Sequence, residues 1–544
     1  MIYWLLILAA VWVVGTWARV YRQARYFQIE EYMNGRYLRW CARDFTRIFP
    51  LRAVIMLAFG AGLALIPMGS SQSRMPAVIA ILIALIAVWP PDEGVVKKPF
   101  RRTGRATRLL GAAFAVTLFD IALYSFLISL LDVAAFRWQV IALSLAGFVL
   151  YFSAPLILVS GNILMMPVEA LLRRRFIGAA RGVMRQLQPT VIGITGSYGK
   201  TTTKNFVSEI LNGRYKAYAT PKSYNTMMGV CLAINNDLKD DYSVDYFVVE
   251  MGAYVRGEIA RICALTPPDI SIVTAVGPQH LERFGSLENI QTAKYEIIRH
   301  LPPDGVGVFN WDNEYVRAMM DMGYPQTRIG VSYTASPDDP DAPRFIAEDV
   351  KETLDGLSFT VIDRETGERE RFQTAVIGLH NVTNILLATA VGVHAGLSLR
   401  DVAFRVRGLK MPESRLARHT AAGGITVIND GYSANPDGIV SALRVLALHQ
   451  TGRRVLVTPG MIELADLHYK ENERLGRLAA EHATDVILVG ATQTQPIHDG
   501  LTSAGFDGER LQVVNALHEA VTWIERNLQA GDTVLFLNDL PDTY

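Results

Sequence analysis

Residues Gly193-Ile-Thr-Gly196-Ser-Tyr-Gly199-Lys200-Thr201-Thr202-Thr203 form a glycine-rich turn between an apolar, β-branched run, TVIGIT, and a helix-like segment. Such a turn restricts the fold around it. Its backbone amides and the N-terminus of the following helix must converge on one anion, so a strand has to lead in and a helix has to lead out. Gly196, Ser197, Tyr198, Gly199, Lys200, Thr201 and Thr202 are therefore candidate nucleotide-binding residues, with Lys200 at the terminal phosphates and the Thr201 hydroxyl at Mg²⁺. The spacing departs from G-x-x-x-x-G-K-[ST], because the position five residues before Gly199 is Ile194 and the nearest glycines are Gly193 and Gly196. A purely structural glycine turn would have no need of Gly-Lys-Thr-Thr.

From about Gln188 the chain alternates short β-rich runs with amphipathic stretches: TVIGIT, DYFVVEMG, DISIVTAV and GVGVFN. This pattern predicts an α/β layer with a parallel sheet. Two further strand-like runs, FTVID and RFQTAVIG, interrupt the alternation before a helix near Asn381. After Pro412 a second series begins with ITVIND, RRVLVTPG, DVILVG and DTVLFLND. The expected soluble domains are a central P-loop ATPase-like domain at 186–407 and a C-terminal Rossmann-like α/β domain at 412–544, joined near 405–414.

The first third of the 544 residues has a different composition. Residues 2–18 are apolar and no small-residue cleavage site follows, which predicts an anchor. Further apolar segments near 51–68, 76–90, 109–131 and 138–160 bring the expected transmembrane helices to about five within a membrane domain at 1–175. Arginines 19, 22, 25, 36, 39, 43 and 47 follow the first segment, Lys97, Lys98, Arg101, Arg102 and Arg105 follow the third, and Arg173, Arg174 and Arg175 follow the last. The intervening loops carry only Arg74 and Arg137. The positive-inside tendency then places the chain in the cell (inner or plasma) membrane, multi-pass, with the N-terminus outside and everything after residue 170 cytoplasmic, where ATP is. The stretch from Arg19 to Arg47 has two readings, a solvated connector or an interfacial helix touching headgroups or a lipid-linked substrate. Asp120, the one acid within a segment, reads as a helix-packing residue. A formal net charge of +1 gives no reason to expect nucleic acid, and Cys41, Cys231 and Cys263 lack metal-ligand spacing.

The turn GITGSYGKTTT resembles that of the Mur ligases, ATP-dependent amide ligases of peptidoglycan precursor synthesis. Further matches follow in the family's order: Asn225-Thr-Met-Met-Gly229, Glu250-Met-Gly252-Ala253, Gly277-Pro-Gln-His280 through Ser286, Ala293-Lys294-Tyr-Glu296, Asn310-Trp-Asp312 and Gly378-Leu-His380-Asn381-Val-Thr-Asn384. In the last domain Arg415 and Asn429-Asp430-Gly-Tyr432-Ser-Ala434-Asn435 resemble the MurF-type branch, which adds a D-alanyl-D-alanine dipeptide. The likeness covers about 190–440 well.

The resemblance implies a ligase that joins a carboxylate to an amino acid or dipeptide amine through an acyl phosphate, using ATP and two Mg²⁺ ions, in cell-wall or envelope polymer synthesis. Thr201, Asn225 and Glu250 would serve the ATP-bound metal and His280 the second. Lys294 matches a lysine that CO₂ carbamylates in the family. Asn310, Asn381 and Asn384 would meet adenine, with His380 fixing the helix start; Arg415 would reach the γ-phosphate, and Asp430 the ribose or metal environment. Lys200, His280, Lys294, Arg415 and Asp430 are thus the catalytic candidates, and Asn435, Glu463 and His468 match supporting positions. The family's UDP-sugar domain has no counterpart among the motifs, and a membrane domain takes its place, so the carboxylate is expected to be lipid-linked or delivered at the membrane. Thr226 and Ser433 stand where relatives carry asparagine. A membrane P-loop kinase or ATPase acting on a lipid-linked substrate, a silent scaffold and a poly-γ-glutamate-type synthase are the alternatives; the kinase gives no reason for Lys294, for HNVTN or for Arg415.

Overall fold

The computed structural model describes residues 1–64, 74–91, 99–130, 136–412, 415–421, 423–431, 435–490 and 493–538. Lys97, Lys98, Tyr432, Ser433, Ala434 and the ends of the expected segments 51–68 and 109–131 lie outside them. Contacts divide the chain into one unit of Met1–Arg175 and a second of Phe176–Leu540.

The first unit is helical: α1 (Ile2–Ile29), α2 (Asn34–Ala42), α3 (Leu51–Ala64), α4 (Met75–Val88), α5 (Gly104–Leu130), α6 (Phe136–Phe152) and the start of α7 (Ala154–Leu187). By length and composition Ile2–Ile29, Gly104–Tyr124 and Ala154–Leu187 suffice to cross a membrane, while α3, α4 and α6 are apolar but shorter. Small residues bring these helices together: a Cβ on Gly15 would lie 2.4 Å from Val88 Cβ.

The run 138–160, expected as one span, is two helices, and Pro155 supplies the reason. It has no N–H to give Tyr151 O, its partner four residues back. That carbonyl instead accepts from Arg19 Nη1 at 2.7 Å, while Arg19 Nη2 reaches Arg47 O at 2.8 Å and Ile48 O at 2.7 Å. Arg19, grouped with the loop arginines by sequence, is 3% exposed. The connector reading of Arg19–Arg47 is corrected too. Phe27, Tyr37 and Cys41 are buried, Tyr26 stacks on Trp40 at 4.4 Å, and Arg47 lies 4.2 Å over Trp40.

The second unit holds two sheets. The first has strands β1 (Thr190–Thr195), β2 (Ala217–Ala219), β3 (Tyr246–Glu250), β4 (Ile270–Val273), β5 (Val306–Asn310), β6 (Thr327–Ser332), β7 (Phe345–Thr353), β8 (Gly356–Asp363) and β9 (Arg369–Thr374), in the order β2-β3-β1-β4-β5-β6-β7-β8-β9. Strands β2 to β7 and β1 pair in parallel, and β7-β8-β9 is an antiparallel meander. The runs FTVID and RFQTAVIG belong to that meander, and β2, β6 and β7 were not among the expected strands. The second sheet has β10 (Ala417–Thr420), β11 (Thr426–Asp430), β12 (Arg454–Thr458), β13 (Asp485–Val489), β14 (Leu511–Val514) and β15 (Thr533–Leu537), ordered β10-β11-β15-β12-β13-β14, parallel apart from β10.

Strand β1 lies between β3 and β4, with β2 and β3 on one side and β4 to β9 on the other. That is the switch point of a doubly wound sheet, where adjacent connections diverge and leave a crevice at the strands' C-terminal ends. The glycine-rich turn follows β1 at this place. Helix α8 (Lys200–Leu211) runs from it, with Phe206 and Ile210 buried in the same apolar core as Val382 and Leu386 of helix His380–His394.

Candidate active site

Backbone geometry shapes the turn first. Gly196 has φ +151° and a Cβ there would lie 2.0 Å from Thr274 Oγ1; Gly199, with φ +77°, would place one 2.6 Å from Asn384 Oδ1. Only glycine passes both constrictions. Ser197 is locked against the β4 end, its N–H donating to Ala275 O at 2.7 Å and its hydroxyl to Gly277 O at 3.0 Å. Lys200 Nζ curls back to donate to Gly196 O at 2.7 Å and Ser197 O at 3.1 Å. Thr202 is buried on α8.

Three residues, from a helix, a loop and a strand, meet beside the turn. Glu250, at the end of β3 and 1% exposed, accepts from Thr201 Oγ1 at 2.9 Å and from Asn225 Nδ2 at 3.1 Å. Lys204, which sequence reasoning missed, is 1% exposed with Nζ 3.4 Å from Glu250 Oε2, and it also donates to Lys222 O. Its signal was available: it lies one helical turn after Lys200 and so shares a face with it.

Ser197, Tyr198, Gly199, Lys200, Thr201, Asn225, Glu250, His280, Lys294 and Arg415 line a single cavity of about 110 Å³, joined by Asn435 from the second sheet's domain. Its charge is cationic in a buried place. Burial brings Lys200 down to about 8, with Arg415 adding to the fall and Glu250 opposing it. Lys294, 4% exposed on helix Leu287–Arg299, is brought by burial and then by Lys200 down to about 7. Cations held partly discharged by burial suit a polyphosphate ligand.

His280 Nδ1 is hydrogen-bonded to Glu463 Oε2, and Arg283 Nη2 donates to Glu463 Oε1 at 3.2 Å. Burial lowers His280, with Lys200 and Lys294 contributing, while the bond to His280 holds Glu463 below the usual carboxylate range. The two directions agree on a neutral imidazole donating Nδ1–H to an ionised carboxylate, which leaves the Nε2 lone pair for a ligand. Tyr254 sets its ring 4.7 Å from that of His280.

Gly196, Thr202, Asn310, Asn381, Asn384 and Asp430 stand outside the cavity lining. Asn384 Oδ1 accepts from Thr203 Oγ1 at 3.1 Å, its Nδ2 donates to Asn381 Oδ1 at 2.8 Å, and Asn381 Nδ2 donates to Ile377 O at 2.7 Å. Both amides are buried, and they fasten α8 to helix His380–His394. Asn310 Nδ2 donates to Thr274 O at 2.7 Å. His380 does not cap its helix; its Nδ1 is buried without a partner, and burial followed by Arg415 takes it down to about 4. Asp430 accepts from Leu416 N at 3.2 Å, and burial raises it to about 6 against the pull of Arg415. Asn435 caps helix Pro436–Ala447 through Gly438 N at 2.8 Å, and His468 opens helix His468–His482.

A phosphate turn at a sheet's switch point, met by an arginine from a following Rossmann-like domain, defines a two-domain nucleotide-dependent enzyme. Residues 194–392 match the Mur ligase middle domain, and residues 414–538 match the family of Mur ligase, glutamate ligase domain. The chain is similar to UDP-N-acetylmuramoyl-tripeptide--D-alanyl-D-alanine ligase of Mycobacterium leprae, 34% identical over 370 residues, 64% of this chain and 70% of that one. It is 29% identical to the protein of the same name from Bacillus subtilis over 358 residues, 66% and 74% of the two chains. Among solved structures it is similar to MurF from Acinetobacter baumannii, with a TM-score of 0.58 and 25% identity over 67% of this chain and 77% of that one. The chain belongs to the Mur ligase family, and is an ATP-dependent carboxylate–amine ligase.

Proposed function

We propose that this protein is a membrane-anchored, MurF-like ligase that joins a carboxylate to an amine through an acyl phosphate in cell-envelope polymer synthesis. The observation that carries the reading is the meeting of Lys200, Glu250, His280 and Lys294 with Arg415 in one cavity. The donor set fits Mg²⁺. Among the described residues no cluster of three His, Cys, Asp or Glu side chains forms a closed metal cage. Mg²⁺ takes one or two carboxylates and completes its shell with phosphate and water oxygens, so Glu250 with Thr201 and Asn225 suits one ion, and His280 with a carbamylated Lys294 a second. When bound, such ions neutralise charge between an attacking carboxylate and the γ-phosphate.

The chain's own groups do the rest. Lys200 and the turn amides hold the phosphates, and Arg415 approaches from the other domain toward the γ-phosphate. The substrate carboxylate oxygen forms a bond to the γ-phosphorus as the bond to ADP breaks. The amine then attacks the acyl carbon and gives up a proton, and inorganic phosphate leaves. A cavity of about 110 Å³ holds the phosphoryl end of a nucleotide but falls short of the ~300 Å³ of ordinary ligand sites. Loading therefore needs the two domains to part, and their closure shields the acyl phosphate from water. Asn310, Asn381 and Asn384 serve this reading as supports of the phosphate turn, with adenine contact a further role for them.

Membrane anchoring is supported by the three long apolar helices and by the arginines beside them. Besides the buried Arg19, thirteen arginines (22, 25, 36, 39, 43, 47, 101, 102, 105, 108, 173, 174 and 175) stand against four carboxylates (Glu30, Glu31, Asp44 and Glu169) in the described 19–47, 99–108 and 169–175. Glu30 and Glu31 pair with Arg36, Asp44 with Arg47 and Glu169 with Arg108. The excess favours anionic headgroups and a lipid-linked carboxylate. The test is phosphate release from ATP by detergent-purified protein given either a membrane-lipid extract or a soluble wall-precursor pool, each with amino acids and dipeptides. An amide-sized mass gain with lipid alone supports the whole reading, and a gain with the soluble pool alone makes the helices an anchor. A phosphate-sized gain would replace the ligase with a kinase. Lys200→Ala should abolish release in every case.

A further inference from the structure

We propose that Glu463 is a positioning residue for His280, so that the second cation site of the middle domain takes its working form only when the C-terminal domain has closed on it. The inference rests on the assignment of His280 as a metal ligand made above.

The contact joins residues 183 apart in the chain and belongs to a closed set of four side chains. Glu463 gives one carboxylate oxygen to His280 Nδ1 and the other to Arg283 Nη2 at 3.2 Å. The Arg283 guanidinium lies 4.5 Å over the Tyr254 ring, and that ring stands edge-on to His280 at an interplanar angle of 64°. Tyr254, His280 and Arg283 belong to the middle domain; Glu463 alone comes from the other. The His280 and Glu463 side chains are only 24% and 26% exposed, so this is no rim pair swept by solvent.

The backbone marks the same two residues. His280 and Glu463 both have φ +58°, and Ala465 has φ +49°. A side chain in the left-handed region is strained and persists where surrounding contacts over-determine it. Here the strained positions face each other across the domain boundary and aim one hydrogen bond.

The chemistry explains the need. A cation bound through imidazole requires the neutral ring, with its proton on the nitrogen away from the metal. A carboxylate accepting from Nδ1 fixes that tautomer and the ring plane, and partners of this kind change metal affinity by ~10–100-fold when removed. Supplying the carboxylate from the moving domain couples metal affinity to closure: an open enzyme holds His280 without its orienting partner.

The experiment titrates Mn²⁺ against the full-length, detergent-solubilised protein with a non-hydrolysable ATP analogue, following free Mn²⁺ by electron paramagnetic resonance. Wild type should show two sites. Glu463→Ala should weaken one site by ~10–100-fold and leave the other, at Thr201 and Glu250, unchanged; that unchanged site also reports a folded middle domain. Glu463→Gln, which preserves shape and an acceptor oxygen but loses the charge, should fall between. Two wild-type sites in Glu463→Ala would overturn the proposal, and so would equal weakening of both, which describes a strut between domains. Loss of one site in His280→Ala without loss in Glu463→Ala sinks the proposal alone. Two intact sites in His280→Ala remove the underlying metal assignment as well.

Discussion

Replacing Gly199 by alanine tests how the phosphate turn is held, and Gly257 provides its control. Both residues have left-handed backbones, φ +77° and +87°. A Cβ at Gly257 meets nothing within 4 Å, whereas one at Gly199 lies 2.6 Å from Asn384 Oδ1. The conformational penalty for alanine, about 1 kcal/mol, is shared by the two and partly offset by the stiffer unfolded chain. Only Gly199→Ala must also displace the Asn384 amide. That amide is 5% exposed and clamped at both ends, by Thr203 at 3.1 Å and Asn381 at 2.8 Å. Breaking two buried hydrogen bonds at about 1 kcal/mol each, with part of the desolvation cost of the groups left over, adds ~2–3 kcal/mol. With a denaturant slope of ~3 kcal/mol/M in urea, Gly199→Ala should lower the pulse-proteolysis midpoint by ~1 M and Gly257→Ala by no more than ~0.3 M. Asn384→Ala in the Gly199→Ala background should cost less than the sum of the single changes, because the clash has gone. Midpoints for Gly199→Ala and Gly257→Ala within ~0.2 M of each other would refute the clamp.

Lys294, lowered to about 7, is protonated below that pH and neutral above it; the neutral fraction runs from ~10% at pH 6 to ~90% at pH 8. ATP-dependent turnover with limiting bicarbonate should rise across this window, and Lys294→Ala should lose turnover and regain part of it with a short carboxylic acid. A flat profile together with an active Lys294→Ala would exclude carbamylation. Arg19→Met removes the donor to Tyr151, Arg47 and Ile48 carbonyls and should destabilise the first unit by ~3 kcal/mol or more, read as a lower thermal midpoint in detergent. An unchanged midpoint would mean those carbonyls find other donors.

The sequence by itself determined what is local. The glycine turn, with one strand before it and one helix after it, is written in about a dozen consecutive residues, and the runs that became β1, β3, β4, β5, β11, β12, β13 and β15 carry their own β-branched signature. The ordered family motifs also brought Lys200, Glu250, His280, Lys294 and Arg415 forward as candidates that the cavity then gathers. The tertiary structure decided what depends on partners distant in the chain. Pro155 in an apolar run does not say that Arg19 will take the freed carbonyl, and Asn381 and Asn384 do not say that their amides will be spent on Thr203 and Ile377. Nor does Lys204 announce a place beside Glu250, or Glu463 a place beside His280. Periodicity and turn chemistry act over a few residues, whereas a hydrogen bond between residues 183 apart exists only because the domains of two different sheets meet.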